Sequence, residues 1–237
     1  MTGAAAVRRV LLIGYGNPGR LDDGLGRATE SAEFLRPAAR YQMMPQIDRW
    51  VVNATLAAIS GGEIKLPANR SCAINLSGQT LGDESFLGFV VDALDRSGVS
   101  PSSICFEVTE SAILSNVQHA QRFIEVLHGI GCTFSLDDFG SGLGSFSSLK
   151  HLPIDYLKID GTYTHNLQTD LVNQEIVNAM IKLARTMEFQ IVAEQVEQQE
   201  DFDWLREVGV DFVQGRFIEA PALLGSSGTG TYRALDR

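Results

Sequence analysis

With 237 residues, the chain fits one barrel-sized domain or one domain plus a short appendage, and a hydrophobic fraction of 44% is enough for a substantial core. A formal net charge of −10, with no local basic stripe, argues against a nucleic-acid polymer as partner. An acidic protein can still bind a small phosphate ligand when metal ions supply the positive charge.

The first residues, VRRVLLI (7–13), read as a strand running into a Gly-rich loop at 14–27, and not as a signal peptide. No apolar run approaches the roughly 20 residues needed to span a bilayer. The expectation is therefore a cytoplasmic protein with no membrane association. Residues 31–60 carry a helical pattern, with Ile47, Trp50, Val51 and Leu56 at helical spacing, and 61–71 form a loop. From there, strands and helices alternate. The strands are CAINLS (72–77), ICFEVTE (104–110), CTFSLDD (132–138), DYLKID (155–160), QIVAEQVE (190–197) and FVQG (212–215). The helix after Asp83 places Phe86, Phe89, Val90, Ala93 and Leu94 on one face and stops at Gly98. The next turns Phe123, Val126, Leu127 and Ile130 inward and stops at Gly131. A third spans 170–187 with Ile176, Met180, Ile181 and Ala184, and a fourth carries Phe202, Leu205 and Val208 and ends at Gly209. Residues 225–237 look like a loose tail.

Strand–helix alternation implies a parallel sheet, and near-continuous apolar strands imply burial on both faces. A barrel and an open doubly wound sheet both satisfy this, but no Gly-rich phosphate loop joins the later strands to their helices. Cys72, Cys105 and Cys132 are widely spaced, odd in number and form no CxxC pair, so buried reduced thiols are expected. His119, His128, His151 and His165 show no ligand spacing.

The chemistry lies at the strand ends. These carry Asn75, Glu107, Asp137 with Asp138, Lys158 with Asp160, Glu194 with Glu197, and Gln214. In an α/β barrel the C-terminal strand ends converge on one face. Converging carboxylates repel unless cations neutralise them, and oxygen ligands suit hard ions such as Mg²⁺ and Mn²⁺. Two such ions roughly 4 Å apart can bind a phosphodiester and activate water. The adjacent Asp137–Asp138 pair suits that layout, and Lys158 suits orientation of a water or stabilisation of charge on phosphate.

The segments FLRPAARYQMMPQIDRWVV, INLSGQTLGD, FEVTES, LDDFGSGLGSFSSLKHLPIDYLKID, IVAEQVE and VQGRFIEAP occur in collinear order over about 33–221. Together they resemble the EAL-type cyclic-di-GMP phosphodiesterase domain, with DDFGSG followed by LPIDYLKID as the most specific part. The resemblance implies an α/β fold, a (β/α)8-type (TIM-like) barrel that hydrolyses cyclic-di-GMP to linear pGpG with Mg²⁺ or Mn²⁺ in a two-metal site. It implies Asn75, Glu107, Asp137, Asp138 and Glu194 as metal ligands, with Lys158 and Glu194 catalytic and Lys158 positioning the water. Glu110, Asp160, Glu197 and Gln214 take supporting roles. The stretch Gly140–Ser145 resembles the family's flexible loop, which links the metal site to a homodimer surface.

Three departures qualify this picture. No Glu-Ala-Leu tripeptide followed by Arg-Trp is present, so one metal carboxylate on the first strand is missing. The barrel is then N-terminally incomplete or has a substituted first strand, and activity is expected to be impaired. Gln195 stands where the family usually has Gly, and Arg216 where it often has an aromatic. The expected organisation is a separate N-terminal segment at 1–30, the EAL domain at 31–224 and the tail at 225–237. Residues 9–28, VLLIGYGNPGRLDDGLG in their core, resemble the opening of hydrogenase-maturation endopeptidases, where Asp23 falls at a metal position. The functional readings are a phosphodiesterase, a degenerate module that binds cyclic-di-GMP or a protein partner without hydrolysis, and a peptidase.

Overall fold

The computed structural model describes residues 11–13, 21–22, 28–29, 31–66, 70–140, 152–218 and 233–234, with side chains for 35–66, 70–140 and 152–218. In chain order, β1 (Leu11–Ile13), β2 (Leu21–Asp22) and β3 (Ala28–Thr29) lead into α1 (Ser31–Arg40) and α2 (Met44–Ser60). Then follow β4 (Cys72–Leu76), α3 (Gly78–Leu81), α4 (Glu84–Ser97), β5 (Ile104–Thr109), α5 (Glu110–Ser115) and α6 (Val117–Gly129). The chain continues through β6 (Thr133–Phe139), β7 (Tyr156–Ile159), α7 (Gly161–Thr164), α8 (Leu171–Thr186), β8 (Gln190–Ala193), α9 (Gln199–Glu207), β9 (Phe212–Val213) and β10 (Arg233–Ala234).

One sheet runs in the order β1-β4-β5-β6-β7-β8-β9-β10. Its ladders are parallel from β1 to β9, and β10 closes onto β9 antiparallel. Apart from β2 and β3, which pair with each other in a separate two-stranded sheet, sequential strands lie side by side, as is usual for consecutive elements. Among the described residues no ladder joins β1 to β10, so the wall is that of an incomplete (β/α)8-type barrel. The stretch expected to be a loose tail thus supplies a two-residue edge strand. Asp23, Gly142, Gly144, Ser145 and His151 lie outside the described residues.

The two faces of the sheet bury different sets. Cys72, Ile74, Ile104, Phe106, Phe134, Leu136, Leu157 and Ile159 belong to the main core with the helices. Ala73, Cys105, Val192 and Phe212, with Tyr156 packed on them, form a separate inner cluster. Alternation along each strand produces this division, because successive side chains point to opposite faces. All three cysteines are buried and none forms a disulfide, as expected.

Helix α4 begins at an Asp83 N-cap that accepts from the Ser85 amide and ends at Gly98 in the left-handed region. Its buried positions are Phe86, Val90, Ala93 and Leu94, with Phe89 half-buried, as the periodicity predicts. Three details differ from the sequence reading. The 31–60 helical pattern is two helices, broken where Gln42 takes a positive φ and Pro45 opens α2. On α2 the inward stripe is Met44, Asp48, Val52, Thr55 and Leu56, while Trp50 is exposed. On α6 the buried face is Ala120, Phe123, Ile124 and Leu127, which turns Val126 and Ile130 outward. In both helices the spacing fits more than one face, and packing against a neighbour selects one. The short helices α3, α5 and α7 follow directly on the ends of β4, β5 and β7. None of the described helices is long and apolar enough to cross a membrane.

Candidate metal centre at the strand ends

The inner cluster positions the polar strand ends. Asn75, Glu107, Lys158, Glu194 and Gln214 each lie two residues beyond Ala73, Cys105, Tyr156, Val192 and Phe212, and Asp137 lies two beyond the buried Ser135. With a strand period of two, they stand on the same inner face, one layer nearer the C-terminal rim. Asn75 is in register with Glu107 across β4 and β5.

Lys158 sits at the centre of this layer, 2% exposed. Its Nζ lies 2.7 Å from Glu194 Oε1, 2.9 Å from Asp137 Oδ1 and 3.2 Å from Glu107 Oε2. Glu107 is itself 1% exposed. One ammonium with three donors therefore faces three carboxylates, each on a different strand end. Burial pushes the Glu194 carboxyl above the ordinary range, against the attraction of Lys158 and with help from the charges of Asp137 and Glu107.

Asp137 and Asp138 are adjacent, so a regular strand would point them to opposite faces. A register irregularity between Leu136 and Phe139, together with φ +53 at Asp138, breaks that alternation. One oxygen each from Asp137, Asp138 and Glu194 then falls within 4.8 Å of the other two. Burial, followed by the charges of Asp137 and Asp160, raises the Asp138 carboxyl. Three carboxylates this close, two of them raised, form a donor set that fits a hard divalent cation. Gln214 Oε1 is buried and has no hydrogen-bond partner among the described residues.

The remaining expected residues lie around this group. Asp160 caps α7, its Oδ1 accepting from the Thr162 amide at 2.7 Å. Glu110 is buried at the start of α5, and burial raises its carboxyl. Glu197 is exposed. Neither Glu110 nor Glu197 joins the cluster of Asp137, Asp138 and Glu194. Gln195 lies in the left-handed region at φ +52, and its side chain covers Gly161, where an added Cβ would fall 2.4 Å from Gln195 Cδ. His119 and His128 pair with Glu84 and Asp155, away from the centre.

Sequence reasoning passed over Asp48. It is fully buried on α2, and its Oδ2 accepts from the Ser77 amide at 2.9 Å and from the Thr80 hydroxyl. Asp48 thereby fixes the turn immediately after the strand that carries Asn75. The available signal was a carboxylate on the inward i, i+4, i+8 stripe Met44, Asp48, Val52.

An incomplete parallel barrel with a lysine-centred carboxylate cluster at its C-terminal rim defines a class of α/β domain with a candidate metal site. The EAL domain family model matches residues 14–221, and the chain belongs to that family. Most of the stretch that resembles a hydrogenase peptidase falls inside this match. The cyclic di-GMP phosphodiesterase PdeB of Shewanella oneidensis is 34% identical over 207 residues, 87% of this chain and 24% of that protein. The cyclic di-GMP phosphodiesterase PdeF of Escherichia coli is 36% identical over 188 residues, 79% of this chain and 25% of that protein. The chain thus spans about a quarter of the length of these relatives. The EAL domain of Pseudomonas aeruginosa FimX, solved bound to c-di-GMP, superposes with a TM-score of 0.78 at 26% identity, covering 86% of this chain and 81% of that one.

Proposed function

We infer that the chain binds cyclic-di-GMP at the rim centred on Lys158 and hydrolyses one phosphodiester bond to yield linear pGpG, with Mg²⁺ or Mn²⁺ as cofactor. The observation that carries this reading is the placement of Lys158 Nζ against Glu107, Asp137 and Glu194. The relatives named as cyclic di-GMP phosphodiesterases support the substrate.

Asp137, Asp138 and Glu194 would hold a divalent ion, with Glu107 and Asn75 completing the oxygen set on the neighbouring strands. Such an ion supplies Lewis-acid polarisation of the phosphate and acidifies the attacking water. Lys158, released from part of its carboxylate contacts, would donate to that water and hold it in line with the phosphorus. Gln214, whose buried oxygen has no partner among the described residues, would orient the water or the ligand. Asp160, Glu110 and Glu197 would support the segments that follow β7, β5 and β8. The proposed EAL domain spans 31–224, with β1 and β10 adding strands to its sheet, and the loop Gly140–Ser145 is the candidate contact for a homodimer.

The chain has no Glu-Ala-Leu tripeptide. That loss removes one carboxylate and favours turnover slower than that of a complete domain. A second reading, binding of cyclic-di-GMP without hydrolysis, rests on the same loss. Incubation of the full chain with cyclic-di-GMP and Mn²⁺, following pGpG and binding together, separates the two. Slow pGpG formation that Glu194→Ala abolishes supports the phosphodiesterase. Binding with no pGpG supports the second reading, and absence of both overturns the site.

A further inference from the structure

Short helix α7 sits between the two ends of the carboxylate cluster and touches both. The β6–β7 ladder ends at Phe139 and Ile159, so the Gly140 carbonyl lies past it. The Tyr163 hydroxyl donates to that carbonyl at 2.8 Å. The β7–β8 ladder ends at Ile159 and Ala193, and Glu194 follows. There the Thr164 hydroxyl donates to the Glu194 carbonyl at 2.5 Å. Thr164 is fully buried, so its hydroxyl has no solvent to replace the bond.

Both clasps are backed by close packing. At Gly140, with φ +94, an added Cβ would meet Met180 Cε at 2.4 Å and the Tyr163 ring at 3.1 Å, which leaves its backbone held between the two side chains. On the other side, the Glu194 amide donates to the Ile159 carbonyl at 3.2 Å, and Gln195 lies against Gly161. The Asp160 cap fixes the start of α7 to β7, the strand of Lys158. Adjacent residues of one helical turn therefore tie the Asp137–Asp138 end to the Glu194 end. The carboxylates on those ends repel one another wherever Lys158 does not neutralise them.

We propose that Tyr163 and Thr164 are positioning residues which, through the Gly140 and Glu194 carbonyls, hold Asp137, Asp138 and Glu194 at the spacing a divalent cation needs. Neither touches substrate or ion. The proposal rests on the metal-site reading above, and it adds that the affinity for the ion is set in part from α7. Partners that orient ligands in this indirect way commonly change metal affinity 10–100-fold when removed.

The test uses the full chain with Tyr163→Phe, Thr164→Val and Thr164→Ser, reading free Mn²⁺ by electron paramagnetic resonance without any substrate. Tyr163→Phe and Thr164→Val should each weaken Mn²⁺ binding about 10-fold, while Thr164→Ser, which keeps the hydroxyl, should stay within about twofold. Metal-free melting of Tyr163→Phe, whose ring is retained, should stay close to that of the unaltered chain. Unaltered Mn²⁺ affinity in Tyr163→Phe and Thr164→Val, beside clear binding by the parent chain, overturns the positioning role and leaves the metal site standing. So does an affinity loss that only tracks lost stability and that Thr164→Ser fails to restore. Failure of the parent chain to bind Mn²⁺ overturns the metal site, and the positioning role with it.

Discussion

Lys158 Nζ and Glu194 Oε1 lie 2.7 Å apart on neighbouring strands, and the same ammonium also meets Asp137 and Glu107. A single buried cation thus faces carboxylates from three strand ends and offsets part of their charge. Lys158→Met leaves those carboxylates facing one another. Removing one partner of a buried ion pair costs about 3–5 kcal/mol. The metal-free variant should melt well below the parent chain, and Mn²⁺ should restore more stability to it than to the parent. Scanning calorimetry with and without Mn²⁺ reads both effects. Equal melting temperatures without metal would show that Lys158 does not neutralise the cluster.

Metal binding should also appear as plain ligand stabilisation. An ion that binds the folded state alone adds about 2.7 kcal/mol at a concentration 100 times its dissociation constant. Urea denaturation of the parent chain should shift by that amount when Mn²⁺ replaces chelator. Glu194→Ala should lose most of the shift, because Glu194 belongs to the only carboxylate group of this spacing found among the described residues. A full shift in that variant would place the ion elsewhere.

Asp48 makes stability depend on pH in a defined direction. Burial raises its carboxyl from 3.8 to about 6, against the lowering effect of the Thr80 and Ser77 hydrogen bonds. Its Oδ1 has no hydrogen-bond partner among the described residues. The folded state therefore binds this proton more tightly than the unfolded state does. The stabilisation is fully present below the unfolded value and is lost as pH rises through about 6. The shift corresponds to about 3 kcal/mol. Urea denaturation from pH 4 to 7 should show the parent chain losing about that much relative to Asp48→Asn, which cannot titrate. Parallel pH profiles for the two proteins would count against a titrating Asp48.

Two glycines with positive φ should respond differently to alanine. Gly98 ends α4 at φ +66 with open space around the added Cβ, so Gly98→Ala should cost only the left-handed backbone penalty, about 1 kcal/mol. At Gly215, φ is +155 and the added Cβ would lie 2.1 Å from the Val196 carbonyl oxygen. That oxygen already accepts from the Phe217 amide. Backbone must move, and Gly215→Ala should cost more than about 3 kcal/mol. Equilibrium unfolding of the two variants ranks them directly.

The strand–helix order and the identity of the polar strand ends were legible in the sequence, because burial on both faces leaves near-continuous apolar runs and a polar residue at their end stands out. Convergence of strand ends in a barrel was enough to bring Asn75, Glu107, Lys158, Glu194 and Gln214 to one rim without any knowledge of distance. Helix faces were less legible, since Trp50, Val126 and Ile130 fit a helical stripe as well as the residues that packing actually buries. The convergence of Asp137 and Asp138 was not readable as geometry, because regular alternation separates them and only the irregularity in β6 brings both toward Glu194. The same holds for Asp48, Tyr163 and Thr164, whose partners lie 29, 23 and 30 residues away in the chain. Local pattern determined which residues could serve the site. Long-range contact decided which of them meet, because the spacing of charges on separate strands is set by the groups that bridge those strands.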